Sequence, residues 1–270
     1  MQRLFNKYII LTCFIFFLLA MAVPWFMLKP VVSQLGVMWG DILRYTCGAL
    51  LTILLMRLFW HRTIFPTGNP AFIKNLFTFG LLGLIGAVGA AIFSYNSLDQ
   101  TGSFFTIAGF ILLNLSIAVC EELLFRGLIL HSLLLRLGKD KRHVMQAVGW
   151  TSLIFGLRHF LTLADTPDLI VMTGAQVVFT FMASVYLCAV YLRTDNLWLV
   201  IFIHFIEDLA ATIWTVFSSV AATAAMTDIS AGVALRLVIF QLIYLIFGWL
   251  MLRDKSWDYD PAADQLKTGS

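Results

Sequence analysis

Long runs of apolar residues fill most of the chain, and each is about as long as one membrane crossing. A helix needs about 20 apolar residues to span the hydrocarbon core of a bilayer. The runs without a charged residue are Tyr8–Leu28, Leu76–Leu98, Gly102–Cys120, Leu169–Leu192 and Leu209–Thr227. The runs that carry charge or His are about Asp41–Trp60, His143–Leu163, Leu197–Ser219, which absorbs the run from Leu209, and Gly232–Leu252. This pattern predicts an all-α protein with about eight transmembrane helices.

The composition supports a polytopic membrane protein and excludes three other classes. Hydrophobic residues make up 60% and charged residues 12% of the 270 residues, against about 45–50% and about 25% in soluble domains. A soluble globule of this size has too little interior for so much apolar surface. The high hydrophobicity also excludes a disordered chain, and a net charge of +3 is too small to indicate a nucleic-acid partner. Membrane lipid is the expected surrounding.

Lys and Arg residues are distributed unevenly between the two ends of the predicted spans. Cytoplasmic loops carry an excess of these residues. With a cytoplasmic N-terminus, the cytoplasmic set is Arg3, Lys7, Arg57, Arg62, Lys74, Arg136, Lys139, Lys141, Arg142, Arg193, Arg253, Lys255 and Lys267, and the outer set is Lys29, Arg44 and Arg236. The sequence therefore predicts a cell-membrane protein with both termini in the cytoplasm.

The predicted domain organisation is one transmembrane helical domain over residues 1–253 and a polar cytoplasmic tail over residues 254–270. The first apolar run also resembles a secretory signal, because Arg3 and Lys7 precede it and Ala20-Met21-Ala22 resembles a small-residue cleavage site. The run is longer than a usual signal core, which favours a retained helix over cleavage near residue 22.

Four glycines recur every three residues within one apolar run, at Gly80, Gly83, Gly86 and Gly89. A phosphate-binding loop is one interpretation of such a repeat, and a small-residue face for close helix packing is the other. No Lys-Ser/Thr pair follows the glycines and no strand precedes them, so the sequence favours packing.

Ionisable residues at membrane depth are the candidates for chemistry, because they are costly there and usually functional. Three predicted helices carry such residues, at Glu121, Glu122, Arg126, Arg158, His159, His204, Glu207 and Asp208. With a rise of about 1.5 Å per residue, they fall in one layer of the membrane. The sequence therefore predicts a single intramembrane cavity.

Spacing within each helix suggests separate roles for two adjacent carboxylates. Glu122 and Arg126 are four residues apart, so they share a helix face and can form an ion pair. Glu121 lies about 140° around the helix from Arg126, so we expect it to remain free for chemistry. His204 and Asp208 are also four residues apart and share a face.

Three segments resemble ordered motifs of one protein family. They read Glu121-Glu122-Leu-Leu-Phe-Arg126, Phe155-Gly-Leu-Arg-His159 and His204-Phe-Ile-Glu-Asp208. They are similar to EExxxR, FxxxH and HxxxN/D of the CAAX protease and bacteriocin-processing family, also called the Abi family. The resemblance covers about 102–219, the expected catalytic half. Bacterial members have Asp where the CAAX endopeptidases have Asn, so Asp208 argues against a eukaryotic-type prenyl-protein substrate.

The resemblance implies a role for each motif residue in an intramembrane glutamic-type protease. Glu121 would be the general base that activates water, and Glu122 and Arg126 its supporting pair. His159 would hold or polarise the water or the substrate carbonyl. The third motif, at 204–208, would form the side of the site that stabilises the oxyanion.

Metal use and overall function both have alternatives. Glu121, His159, His204 and Asp208 also resemble a zinc ligand set with an open position for water. There is no HExxH motif, and the resemblance favours metal-free catalysis without a cofactor. We expect an endopeptidase that cuts a peptide or a membrane-anchored protein, with bacteriocin processing or peptide maturation as its setting. The alternatives are a bacteriocin self-immunity or interaction protein and, less favoured, a transporter, which would require matching half-repeats and paired broken helices.

Overall fold

The computed structural model describes residues 8–60, 71–95, 98, 101–164, 169–218 and 231–253. Every regular element within these residues is a helix, so the predicted all-α class is confirmed. The helices are α1 (Ile9–Met27), α2 (Lys29–Leu35), α3 (Val37–Trp60), α4 (Phe72–Thr78), α5 (Leu81–Tyr95), α6 (Phe104–Leu137), α7 (Lys141–Leu157), α8 (Ile170–Thr194), α9 (Leu197–Phe217) and α10 (Ala231–Arg253).

The described helices confirm a polytopic membrane protein with fewer full-length spans than the eight predicted. Six of them are long and apolar enough to cross a membrane, and a bent pair brings the number to seven. The predicted span His143–Leu163 is the one that falls short. Its α-helix α7 has 17 residues and continues as the 3₁₀ segment Arg158–Ala164. An α-helix of this length covers about 26 Å, less than the hydrocarbon core of about 30 Å.

Helix α6 is the longest element and changes its winding next to the candidate carboxylates. It runs for 34 residues, and its π-helical segment Leu123–Leu130 begins directly after Glu122. All eight residues of the π segment are buried. π-helical turns inside α-helices are frequent at functional sites. The core of the protein therefore surrounds the part of α6 that carries the EExxxR segment.

The predicted span Leu76–Leu98 is bent, and a tyrosine from another helix holds the bend. Helices α4 and α5 meet at 70° around Phe79 and Gly80. The Tyr186 hydroxyl on α8 donates to the Phe79 carbonyl oxygen at 2.7 Å and accepts from the Gly83 amide at 3.3 Å. These bonds satisfy backbone groups that the break releases from the helix. Among the described residues this is the one bent pair of this kind.

Most of the glycine stripe serves helix packing, as predicted. A methyl group on Gly80 or Gly83 would overlap the Ile203 side chain of α9, and one on Gly86 would overlap the Tyr244 hydroxyl of α10. Gly89 faces open space. The small residues thus allow α5 to pack closely against α9.

Helix packing separates a buried centre from an apolar outer surface. Helix α8 packs along α10 and α7, α9 packs against α5 and α6, and α3 packs against α6. Helix α10 exposes large apolar side chains, including Phe240 and Trp249, as expected of a surface that faces lipid. The predicted tail 254–270 lies outside the described residues. The single domain over 1–253 and the orientation stay predictions.

Candidate active site

Glu122 lies at the centre of the polar side chains in the core. Its Oε1 atom accepts hydrogen bonds from Arg126 Nη1 and from His204 Nδ1, each at 2.7 Å. Glu122 and Arg126 are both fully buried. The ion pair that the i,i+4 spacing predicts is therefore present on α6, and the hydrogen bond from His204 joins α6 to α9.

Arg126 is fixed by a partner that the sequence analysis did not identify. Its Nη2 donates to Ser184 Oγ at 3.0 Å and lies 3.3 Å from the Ser184 carbonyl oxygen. Ser184 belongs to α8, 58 positions further along the chain. No spacing rule connects residues on different helices, so the sequence contained no indication of this contact. These bonds attach α8 to the same pair of charges.

His204 bridges two carboxylates through its two ring nitrogens. Nδ1 contacts Glu122, and Nε2 lies 3.2 Å from Asp208 Oδ2. An imidazolium has a donor on each nitrogen, so a protonated His204 fits between these acceptors. The side chain of Asp208 is 34% exposed, whereas that of His204 is 8% exposed. The pair predicted from the i,i+4 spacing is present, and it leads from the core towards the surface.

Glu121 faces away from Arg126, as predicted, but it is not free of charged partners. Arg158 Nη2 lies 2.5 Å from Glu121 Oε1, and His204 Nε2 lies 3.8 Å from Glu121 Oε2. The spacing did not predict this cation, which reaches the face of Glu121 from the end of α7. The role of Glu121 in chemistry stays a prediction. Within the described part of the chain, neither Glu121 oxygen receives a hydrogen bond of good geometry.

The aromatic ring of Phe155 contacts both histidines of the motifs. Its centroid lies 6.1 Å from the His159 ring and 6.0 Å from the His204 ring, edge to face in both cases. The Arg126 guanidinium lies over the same ring at 5.0 Å. His159 is buried, and its Nε2 has no hydrogen-bond partner among the described residues. This ring nitrogen remains able to bond a water molecule or a substrate carbonyl.

A second carboxylate on α9 belongs to a separate cluster. Glu207 Oε1 accepts a hydrogen bond from the Tyr244 hydroxyl at 2.5 Å, and the Tyr244 ring packs edge to face on Tyr186 at 5.2 Å. These contacts join α9 to α10 and to the tyrosine that holds the α4–α5 bend. Glu207 is therefore a structural partner, in agreement with its place at one of the unspecified positions of the third motif.

The side-chain arrangement bears on the zinc alternative. In the described ranges, no three His, Cys, Asp or Glu side chains are placed so that they could hold one metal ion. Both nitrogens of His204 already adjoin carboxylate oxygens. The proposed ligands Glu121 and Asp208 each adjoin a charged or chargeable nitrogen, from Arg158 and His204 respectively. Catalysis without metal stays a prediction.

The fold and the site define a class, a polytopic helical membrane protein with carboxylates, arginines and histidines gathered inside it. Residues 103–210 match the family described as type II CAAX prenyl endopeptidase Rce1-like. The match contains all three motifs and lies within the predicted catalytic half 102–219, so the resemblance is confirmed. The matched part of the chain is similar to intramembrane endopeptidases of the CAAX protease kind. Comparisons with curated proteins and with solved structures found no match.

Proposed function

We propose that this protein hydrolyses a peptide bond with a water molecule activated by Glu121. The observation that carries the proposal is the contrast between two adjacent buried carboxylates. Glu122 receives hydrogen bonds from Arg126 and His204, whereas Glu121 receives none of good geometry from the described residues. A general base needs an oxygen available to the proton that it removes. In Glu121 both oxygens lack such a hydrogen bond, whereas in Glu122 only Oε2 does and Oε1 accepts two. Glu121 is therefore the less restrained of the two carboxylates.

The proposed reaction begins at Glu121 Oε2, the oxygen not in contact with Arg158. This oxygen takes a proton from water, and the oxygen of that water bonds to the carbonyl carbon of the scissile peptide. The carbonyl oxygen then carries negative charge and requires a donor. His159 Nε2 has no hydrogen-bond partner among the described residues, which supports this role. The carbonyl bond then re-forms, the carbon–nitrogen bond of the peptide breaks, and the proton held by Glu121 passes to the leaving nitrogen, which restores the Glu121 carboxylate.

The third motif supports the same reaction, provided that the hydrogen bond between His204 and Asp208 is broken during catalysis. The resemblance implies that His204 and Asp208 stabilise the oxyanion. His204 Nε2 lies 3.2 Å from Asp208. The His204 ring must therefore move so that its Nε2–H donates to the oxyanion of the substrate and no longer to Asp208. Asp208 is partly exposed, and such a movement at the edge of the core is compatible with its position.

We also propose metal-free catalysis, which the occupied ring nitrogens of His204 support. The proposed substrate is a peptide or a membrane-anchored protein. The proposed location is the cell membrane with both termini in the cytoplasm, on the distribution of Lys and Arg. The Asp at position 208 leads us to expect no requirement for a prenyl group.

The decisive experiment compares membrane peptides from cells that contain the native protein or Glu121→Gln, analysed by mass spectrometry. We expect peptides that the native protein cleaves to persist in the variant, with cleavage lowered by about 10² to 10⁴-fold, the usual contribution of a general base. Glu207→Gln is the matched control, because it replaces a carboxylate on α9 outside the site and keeps the acceptor for Tyr244. It should retain cleavage.

The same assay separates the alternatives. Full processing by Glu121→Gln would disprove its role as the base. A protective phenotype that survives in both variants without any cleavage would favour an immunity protein. The purified native protein should cleave matched peptides with and without a prenyl group, before and after exhaustive chelation. Activity that disappears on chelation and returns with stoichiometric zinc would overturn the metal-free mechanism.

A further inference from the structure

Arg158 has no role in the three motifs, yet it makes the shortest charged contact to the proposed base. Its Nη2 lies 2.5 Å from Glu121 Oε1, and its Nη1 donates to the Tyr45 hydroxyl at 3.4 Å. Tyr45 is buried on α3 and lies outside residues 103–210 that match the family. The guanidinium therefore connects the proposed base to a helix that the family comparison does not cover.

The two arginines of the site have different surroundings. Arg126 is fully buried and is bonded to both Glu122 and Ser184. The Arg158 side chain is 13% exposed, and Tyr45 is its second partner among the described residues. Both guanidinium groups approach the Phe155 ring, at 5.0 Å for Arg126 and 6.0 Å for Arg158. The Phe155 ring thus lies between two charge pairs. Glu122–Arg126 is enclosed by protein, and Glu121–Arg158 borders the surface.

Local backbone geometry explains how Arg158 reaches Glu121. Helix α7 ends at Leu157, and the chain winds more tightly from Arg158 onward as a 3₁₀ segment. A change from α to 3₁₀ winding alters the direction of each following side chain. The FxxxH spacing alone would not have indicated that the residue before His159 points to α6.

The contact between Arg158 and Glu121 leaves the two oxygens of this carboxylate in different positions. Oε1 is next to the guanidinium, and Oε2 is 3.8 Å from His204 Nε2. A separation of 3.8 Å is too long for a direct hydrogen bond, and it keeps Oε2 available. A carboxylate without Arg158 would be free to rotate, since no well-aligned hydrogen bond from the described residues fixes it.

We propose that Arg158, anchored by Tyr45, is a positioning residue that occupies Glu121 Oε1 and thereby makes Oε2 the oxygen that acts on water. The inference rests on the proposed function, because it assigns a working oxygen to the proposed base. Misplacement of a reacting group by about 1 Å lowers a rate by about 10²-fold. Loss of Arg158 should consequently act on kcat more than on KM.

The test measures kcat and KM of purified native protein and of Arg158→Gln, Arg158→Lys and Tyr45→Phe on a peptide identified in the cleavage experiment. We expect kcat to fall by about 10²-fold in Arg158→Gln with little change in KM. Arg158→Lys should recover part of the loss, because it restores the charge without the planar two-pronged donor. Tyr45→Phe should have a smaller effect in the same direction, since the ion pair itself remains.

Two further measurements separate positioning from a structural role. Arg158→Ala should regain activity with millimolar methylguanidinium, because the site of the missing side chain borders the surface, and Glu121→Gln should not respond. In the Glu121→Gln background, Arg158→Gln should cause no additional loss of kcat. Arg44→Gln is the matched control, because it also removes a buried arginine from an ion pair, here with Asp41 at 2.8 Å, without touching Glu121.

Each outcome has a distinct meaning. Unchanged kcat in Arg158→Gln, or an equal loss in Arg44→Gln, would overturn the positioning role while the proposed function stands. An additional loss in the Glu121→Gln background would also overturn it, because Arg158 would then act independently of Glu121. Absence of cleavage by the native protein would contradict the proposed function itself.

Discussion

Glu121 and Glu122 are adjacent in the chain and equally buried, but they differ in what surrounds them. Glu122 has two hydrogen bonds at 2.7 Å, from a neighbour on its own helix and from α9. Glu121 has ion contacts from Arg158 at the end of α7 and, at 3.8 Å, from His204 on α9, and no well-aligned hydrogen bond from the described residues. Native proteins satisfy nearly all buried polar groups, so an under-satisfied one calls for an explanation. We infer that Glu122 organises the core and that Glu121 is kept for chemistry.

The largest expected effect on stability comes from neutralising Glu122. Glu122→Gln leaves the charge of Arg126 buried without its counterion, and breaking a buried pair in this way costs about 3–5 kcal/mol. Glu121→Gln should cost markedly less, because Arg158 keeps Tyr45 and borders the surface. The measurement is the free energy of unfolding in mixed micelles, taken for both variants under identical conditions.

A double variant provides the control for this first prediction. Arg126→Met removes the charge that Glu122→Gln leaves unpaired, so the two changes together should destabilise less than the sum of the single changes. A greater loss from Glu121→Gln than from Glu122→Gln would reverse the two roles.

Local spacing explains which parts of the site the sequence could predict. The pairs Glu122–Arg126 and His204–Asp208 each lie four residues apart on one helix, and helix geometry alone brings them together. The Glu121–Arg158 contact joins two helices, and it depends on their relative rotation and on the 3₁₀ winding after Leu157. Hydrophobic spacing contains no information on either.

The fold shows the same division between local and long-range information. Apolar runs predicted the helical class and most spans, because the thickness of the bilayer sets their length. The bend near Gly80 depends on the Tyr186 hydroxyl from α8, a contact that hydropathy does not reveal. His131 is buried on α6, although it lies only five residues before Arg136 at the basic end of that helix, and hydropathy does not reveal this burial either.

A smaller effect is expected from the contact that anchors Arg126 to α8. Ser184→Ala removes the hydroxyl acceptor at 3.0 Å and leaves the nearby carbonyl. Hydrogen bonds to charged groups contribute about 1.5–3 kcal/mol, and the remaining carbonyl should keep the loss near the lower value. Unfolding in mixed micelles measures it. Ser132→Ala is the control. The buried Ser132 hydroxyl donates to the Leu128 carbonyl oxygen within its own helix, so its loss should change stability little.

The double cycle with Arg126→Met makes the interpretation specific. If Ser184 acts through the guanidinium, Ser184→Ala should have almost no further effect once Arg126 is replaced. An undiminished loss in that background would show that Ser184 stabilises α8 by another contact. The inference that the Glu122–Arg126 pair organises the core through α8 would then be wrong.

The smallest effect is expected at Asp140, a carboxylate outside the membrane-spanning segments. It extends the comparison of Glu121 and Glu122 to a carboxylate in contact with water. Asp140 is exposed and caps α7, where its side chain accepts from the Arg142 and His143 amides at 3.1 and 3.3 Å and contacts His143 Nδ1. The hydrogen bond from the His143 side chain, together with those amides, lowers the pKa of Asp140 below its ordinary value. Its ionised form therefore stabilises the folded state above the unfolded pKa of about 3.9, and this contribution disappears as the pH falls through the lower folded pKa.

Asp140→Asn keeps an acceptor for the amides and removes the charge, so the native protein should have a slightly higher Tm near neutral pH and no advantage in acid. Added salt should reduce the difference, because exposed charges are screened. A Tm difference that stays constant into acid and in high salt would show that the charge of Asp140 contributes nothing, whereas the same salt series should leave the enclosed Glu122–Arg126 pair almost unchanged.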